Sequence, residues 1–313
     1  MKSVIAIVGP TASGKTKLSI DLSKKINGEI ISADSMQVYR HMDIGTAKPD
    51  EAEKSGIKHY LIDELDPDEE FNVVKFKELA VRYIEEILSK GKVPIIAGGT
   101  GLYINSLIYN INFSESVSDW DFREALKKEA EEKGNRYLHD KLKLVDPSAA
   151  EKIHENNVKR VIRALEVYEH TKKTISHQQE LSRLEPAPYN YIIIGLRMDR
   201  EKLYDRINRR VDIMMEKGLV QEVKKLAEMG YDKNTVAMQG LGYKEILSYL
   251  RGEISLDEAI YIIKRDTRHY AKRQETWFKR LENIFWVNAD ECGSETLALE
   301  KINNYIATSG IFL

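Results

Sequence analysis

The sequence predicts an α/β fold, a doubly wound parallel sheet with an inserted helical subdomain, and three observations carry that expectation. Short apolar runs alternate with segments of helical periodicity. A glycine-rich loop joins the first run to the first helix. Strand signals then vanish across residues 113–190 and return afterwards.

Each element follows in order. Residues 4–8 are continuously apolar and end in Gly9-Pro10, as expected of a strand buried on both faces. Residues 15–26 read as a helix, and further apolar runs at 29–32, 59–62, 93–97, 191–196 and 284–287 read as strands. Residues 72–90 place Val73, Phe76, Leu79, Ala80, Tyr83, Ile84, Ile87 and Leu88 at helical spacing and stop at Gly91. Residues 119–132, 137–145 and 158–171 read as polar amphipathic helices, bounded by the serine-rich stretch 114–118 and by Glu185-Pro186-Ala187-Pro188. After residue 196 the chain reads as nearly all helix until 281. The expected organisation is one catalytic core, residues 1–112 with 191–313, interrupted by an insertion domain, residues 113–190.

Composition bounds the function. The chain has 313 residues, 42% hydrophobic and 31% charged, which describes a core-forming globular protein and excludes a disordered or membrane-spanning one. Its single cysteine, Cys292, excludes an intramolecular disulfide and a thiolate metal cluster, and points to a reducing, cytoplasmic setting. Residues 1–8 are too short an apolar run for a signal peptide. Seven histidines show no metal-ligand spacing. The net charge of −2 conceals segregation: residues 50–70 hold nine acidic side chains against two lysines, and residues 264–280 hold seven basic ones against Asp266 and Glu275.

Residues 9–16, Gly-Pro-Thr-Ala-Ser-Gly-Lys-Thr, fit G-x-x-x-x-G-K-[ST] between a predicted strand and a predicted helix, the signature of a P-loop. Backbone N–H groups there converge on phosphate oxygens, Lys15 neutralises charge and the Thr16 hydroxyl is placed to hold Mg²⁺. The pattern does not say which phosphate ester is held, so ATP binding stays open. Asp34 ends the next strand, where ligand crevices lie. It can support Lys15 or Mg²⁺, act as general base for an acceptor, or merely cap a helix. Asp63 competes as a Walker-B aspartate, although its acidic run favours a solvated loop. On a helix through 264–281, at about 100° per residue, Arg265, Arg268, Lys272 and Lys279 share a stripe, and Ile263, Tyr270, Trp277 and Leu281 oppose it. A solvated face and a polyanion-binding face both satisfy that pattern.

Several blocks extend the reading: GPTASGKT at 9–16, ISADSMQVYRHMDIGTAKP at 31–49, AGGTGLY at 97–103, KRVIRALEV at 159–167, RVDIMMEKGLVQEV at 210–223, MQGLGYKE at 238–245 and TRHYAKRQETWF at 267–278. In content and order they resemble the tRNA dimethylallyltransferase (isopentenyl-tRNA transferase) family. The resemblance implies transfer of a dimethylallyl group from dimethylallyl diphosphate to the exocyclic amine of the adenosine 3′-adjacent to the anticodon. The expected cofactor is Mg²⁺ and the expected partner is the tRNA anticodon stem-loop, with no membrane and a monomeric state.

The resemblance also implies roles. Asp34 contacts the amine and accepts its proton. Gly9, Thr11, Ala12, Ser13, Gly14, Lys15 and Thr16 hold the diphosphate, which Arg210 stabilises as it leaves. Thr100 and Arg123 match tRNA contacts. Asp34, Ser35, Met36 and Gln37, then Lys159, Arg160 and Arg163, then Gln239, Gly240, Gly242, Tyr243 and Lys244, then Arg268, Lys272, Arg273 and Gln274 match tRNA-binding stretches. From spacing alone, Arg160 and Arg163 could equally pair with Glu155, Glu166 or Glu169. Tyr39, Tyr103 and Trp120 are available for base stacking but are more readily core or crevice-wall residues. Three rivals remain: a P-loop kinase in which Asp34 activates a hydroxyl, an NTP-gated RNA-binding protein, and a prenyltransferase of free adenine nucleotides.

Overall fold

The computed structural model describes residues 2–111, 119–288, 290, 291 and 295–309; the serine-rich stretch 114–118 and Cys292 lie outside the described residues. Six strands, β1 (Ser3–Val8), β2 (Gly28–Ala33), β3 (His59–Tyr60), β4 (Val93–Gly98), β5 (Asn190–Arg197) and β6 (Ile284–Asn288), form one sheet in the order β3-β2-β4-β1-β5-β6. Every pairing is parallel. In the register, Val8 and Ala33 both face Gly98. The carboxyl ends of β1, β2 and β4 therefore stop at one level, and the loops leaving them emerge together.

The strands are apolar because both sheet faces are covered. Helices α1 (Lys15–Ile26), α2 (Glu51–Lys54) and α3 (Val73–Ser89) follow the first three strands in the chain, and α4 (Gly101–Ile108) follows β4. Asn72 caps α3 by accepting from the Val74 and Lys75 N–H groups. Phe76 on α3 stacks on Tyr103, ring centroids 4.3 Å apart, so Tyr103 is a core residue, as is Tyr39. The third strand is shorter than the apolar run 59–62 because Leu61 and Asp63 adopt left-handed backbone, φ 59° and 57°.

The chain divides into two compact units, one of residues Met1–Ile104 and Pro188–Leu313, the other of Asn105–Ala187. The division falls inside α4, ahead of the 112/113 boundary expected from the loss of strand signals, because the helix that leaves β4 runs on into the second unit. That unit contains α5 (Trp120–Lys133), α6 (Asn135–Val145), α7 (Pro147–Lys152), α8 (Val158–Thr171) and α9 (Ile175–Leu184). Leu126, Leu138, Leu142, Ala149, Val161 and Leu165 form its own core. Fully buried Glu166 ties it together: it accepts from Arg123 at 2.8 and 3.0 Å, Arg163 at 2.6 Å and the Asp119 N–H at 2.9 Å.

The first unit resumes with α10 (Arg200–Glu216), α11 (Leu219–Glu228), α12 (Tyr243–Leu250), α13 (Leu256–Phe278) and α14 (Glu295–Thr308). Helix α13 begins well before residue 264, at a Ser255 cap that accepts from the Glu258 N–H. Helix α14 contributes Ala298, Leu299, Ile302 and Ile306 to the same core as Ile5, Ile7, Leu22 and Ile194. Among the described residues, no helix is long and apolar enough to cross a membrane.

The Glu166 cluster makes a stability prediction. Burial opposes its ionisation, but Arg123, Arg163 and the Asp119 N–H outweigh burial and hold its carboxyl below the ordinary value. Arg123→Met strips a partner from a buried carboxylate and destabilises the protein by about 1–3 kcal/mol in urea unfolding. With the folded pKa depressed, the wild-type contribution is complete above the ordinary glutamate range and is lost as pH falls through the folded value. The difference between wild type and variant shrinks correspondingly in acid.

Candidate active site

The loop after β1 is shaped by backbone geometry. Ala12 and Gly14 take positive φ, 64° and 96°, amid ordinary neighbours, so successive N–H groups turn to one side as an anion nest. Gly14 is the N-cap of α1 and makes no side-chain cap bond, which leaves the helix start to a ligand. The Lys15 ammonium donates to the Pro10 carbonyl at 2.7 Å. Desolvation, reinforced by Arg210 and only partly relieved by Asp34, pushes its pKa down to about 7.

These groups face a cavity of about 470 Å³, also lined by Thr11, Thr16, Asp34, Arg206, Arg210 and Tyr270. The Arg210 Nη1 donates to Thr11 Oγ1 at 3.4 Å. Asp34 leaves the end of β2, and its Oδ1 accepts from the Met36 and Gln37 N–H groups at 2.8 and 3.3 Å. That turn fixes the carboxylate and leaves Oδ2 outside it. Desolvation raises the Asp34 pKa, opposed by those two N–H groups and by Lys15.

A second cavity of about 340 Å³ shares Thr11, Asp34, Thr46, Ala47, Arg210 and Tyr270 with the first, and adds Met36, Ile207, Val211, Met214, Leu241 and Ile263. Asp34 stands where a polar, basic chamber meets a more apolar one. The 43–47 segment bordering both is held by a single carboxylate. Glu222 on α11 accepts from the Asp43, Ile44 and Gly45 N–H groups at 3.0, 2.8 and 3.1 Å and from the Tyr243 hydroxyl at 2.7 Å. Gln37 adds bonds to the Thr46 and Ala47 carbonyls at 3.3 and 3.4 Å.

The structure gathers most of the sequence-predicted residues of the first unit. Thr11, Ala12, Gly14, Lys15, Thr16, Asp34, Gln37, Arg210 and Gln274 line the first cavity; Ser35, Met36, Gly240, Gly242, Tyr243, Lys244 and Arg273 line the second. Gly9 and Ser13 line neither: Ser13 is 3% exposed, and its N–H is turned to the Pro10 carbonyl at 3.3 Å. Gln274, expected on an RNA-facing stretch, is 5% exposed and bonded to the phosphate loop. Tyr243 is 1% exposed. The Gln239 amide bonds the Lys233 carbonyl, and the Thr100 N–H bonds the Ala33 carbonyl at 3.2 Å. Arg268 bonds Asn208 at 2.7 Å and Arg265 bonds Asp266 at 2.8 Å, whereas Lys272 and Lys279 are exposed. Trp277 is 37% exposed and not on the packing side, which is made by Ile263, Ala271, Gln274 and Phe278.

In the second unit, Lys159 and Arg160 are exposed, while Arg123 and Arg163 pair with Glu166, one of the partners their spacing allowed. Trp120 is exposed, and Arg123 lies 5.0 Å from its ring centroid. Asp63 lines neither cavity and pairs with Lys48. Sequence reasoning missed Arg206, Tyr270, the 43–47 segment and Glu222. Arg206 lies one helical turn before Arg210, and Tyr270 one turn before Gln274, so periodicity could have found both. Tyr270 is pushed up to about 12 by desolvation and by Asp34. The Thr16 hydroxyl and the Asp34 carboxylate are hard oxygen donors on one cavity, a set that fits Mg²⁺ completing its shell with phosphate oxygens and water.

A parallel sheet whose first loop is a nest of N–H groups, with Lys15 and two arginines over the same cavity, defines a P-loop protein built to hold a phosphoanhydride. Comparison with known proteins narrows the class. The IPP transferase family profile matches residues 37–281, and the chain belongs to that family. It is 69% identical to the tRNA dimethylallyltransferase of Acetivibrio thermocellus over 313 residues, 100% of both chains, and 58% identical to that of Alkaliphilus oremlandii over 95% of each. Among solved structures, it resembles the tRNA isopentenylpyrophosphate transferase of Bacillus halodurans, with 47% identity, coverage of 98% of this chain and 96% of that one, and a TM-score of 0.74. A eukaryotic dimethylallyltransferase acting on tRNA matches at 33% identity with a TM-score of 0.83, over 99% of this chain and 80% of that one.

The depressed Lys15 pKa predicts proton uptake on anion binding. Near pH 8 a group with a pKa of about 7 is mostly neutral, and a bound polyanion restores its charge. Calorimetric titration with inorganic pyrophosphate in buffers of different ionisation enthalpy will report net uptake at pH 8. The component assigned to Lys15 fades below about pH 6, where the lysine is already charged, and is missing from Lys15→Met.

Proposed function

We propose that this chain transfers a dimethylallyl group from dimethylallyl diphosphate to the exocyclic amine of the adenosine 3′-adjacent to the anticodon of tRNA, acting as a monomer in the cytoplasm. The carrying observation is the position of Asp34. It borders both cavities together with Thr11 and Arg210, so a carboxylate lies beside a diphosphate cradle and an adjoining chamber. The family relationship supports the same reaction class.

The chemistry follows from the side chains. The adenine amine is a weak nucleophile because its lone pair is delocalised, so alignment with the allylic carbon carries much of the rate. The N–C bond forms as the allylic C–O bond breaks, and the electron pair leaves with the diphosphate. Lys15, Arg210 and the loop N–H groups meet that charge as it develops. The amine proton passes to Asp34. Its raised pKa makes it a better proton acceptor than an ordinary aspartate. Mg²⁺, held through Thr16, would neutralise diphosphate charge. Thr100, Lys244, Arg268, Lys272 and Arg273 in the first unit, with Arg123, Lys159, Arg160 and Arg163 in the second, are the proposed tRNA contacts. An adenosine stacked in a loop must be unstacked to reach a crevice, at about a few kcal/mol.

Labelled dimethylallyl diphosphate and labelled ATP, each incubated with Mg²⁺ and either tRNA or AMP, test the proposal. Isoprenoid label entering tRNA supports it; γ-phosphate transfer selects a kinase, and label in AMP selects a free-nucleotide prenyltransferase.

Two further outcomes are expected. Asp34→Asn cuts single-turnover transfer by roughly 10²-fold or more while tRNA binding persists. Because the Asp34 pKa is raised, wild-type activity falls with decreasing pH above the ordinary aspartate range, and that limb is missing from the residual activity of Asp34→Asn. The exposed Lys272 and Arg273, replaced together by alanine, weaken tRNA binding across sequences. They also flatten the slope of log affinity against log salt by about one unit for each phosphate no longer neutralised.

A further inference from the structure

Gln274 is a buried amide on a helix whose adjacent residues, Arg273 and Glu275, retain solvent contact. Its Oε1 accepts the Thr11 N–H at 2.8 Å, and its Nε2 donates to the Gly99 carbonyl at 3.0 Å. A Cβ on Gly99 would lie 2.2 Å from that nitrogen, so the amide seats itself only against glycine. One carboxamide thus joins the phosphate loop to the loop after β4.

Thr11 lies at the leading end of the phosphate loop, and the Lys15 ammonium rests on Pro10 beside it. In P-loops the lysine reaches the outermost phosphates, while later N–H groups cradle the inner ones. A third phosphate would therefore lie against Thr11. Here the Thr11 N–H is occupied, the occupying group presents a carbonyl oxygen, and the Ser13 N–H is turned to Pro10. A phosphate placed there forfeits a donor and meets an acceptor. An allylic carbon has no need of that donor.

We infer that Gln274 is a specificity-determining positioning residue: by occupying the Thr11 N–H and bracing Gly99, it restricts the cradle to diphosphate esters and excludes triphosphates. The inference rests on the isoprenoid-diphosphate reading and deepens it.

The test measures binding of inorganic pyrophosphate and tripolyphosphate to the full chain at fixed free Mg²⁺, for wild type, Gln274→Ala and Gly99→Ala. The first variant removes the amide, and the second displaces it without removing it. Thermal melts establish that each is folded. The ratio of tripolyphosphate to pyrophosphate affinity rises about tenfold in both, the worth of one regained hydrogen bond to a charged group. A loss of general support to the loop would weaken both anions and leave the ratio alone. An unchanged ratio in the folded variants overturns the inference and leaves the donor assignment standing. A wild-type preference for tripolyphosphate overturns both.

Discussion

The site depends on a matter of register: Val8 and Ala33 both face Gly98, so three parallel strands end at the same height. Loops that leave a common edge must crowd together, and these carry the phosphate nest, Asp34 and Gly99. A slip of one residue in any pairing would invert the pleat of that strand and send its loop elsewhere. Uninterrupted burial of β1 and β2 prevents such a slip, because every residue of both is enclosed by the helices on the two faces. Catalytic geometry here is a by-product of how a two-sided hydrophobic sheet must align.

Crowding also sets the electrostatics. Lys15, Arg210 and Asp34 border one poorly hydrated space, and each departs from its ordinary pKa in the direction that removes charge. Desolvation is the leading cause for all three. A cationic pair that is costly to keep charged in the free protein is matched to a dianionic ligand, since binding supplies the counter-charge that solvent does not. The carboxylate is held toward its proton-accepting form by the same dryness. The 43–47 segment completes this enclosure, and its three N–H groups converge on Glu222, whose negative charge is spent on backbone geometry.

The sheet was legible because residues buried on both faces must be apolar in succession, and six such runs between helical segments fit little else. The β3 boundary was not, since positive φ at Leu61 and Asp63 leaves no trace in hydrophobicity. The phosphate loop and Asp34 were legible because their chemistry demands fixed residue types beside strand ends. Gln274 and Glu222 were hidden by their polarity: a glutamine among arginines and lysines reads as solvent-facing, and only the approach of Gly99 and Thr11 turns it inward. For Arg163 the i,i+3 spacing to Glu166 was visible, but Arg123 reaches the same carboxylate from another helix, a meeting that pattern cannot foresee.

Helix α14 attracted no motif, yet it completes the hydrophobic layer over α1, the helix whose amino end carries the nest. Its Ile302 and Ile306 share a core with Leu22, almost the whole chain away. Contacts of such high sequence separation form late and slowly. On a translating ribosome, α1 therefore keeps an uncovered greasy flank until nearly every codon has been read. A nascent polypeptide interrupted shortly before α14 would emerge with its anion cradle already encoded but unsupported, a natural client for chaperones and proteases.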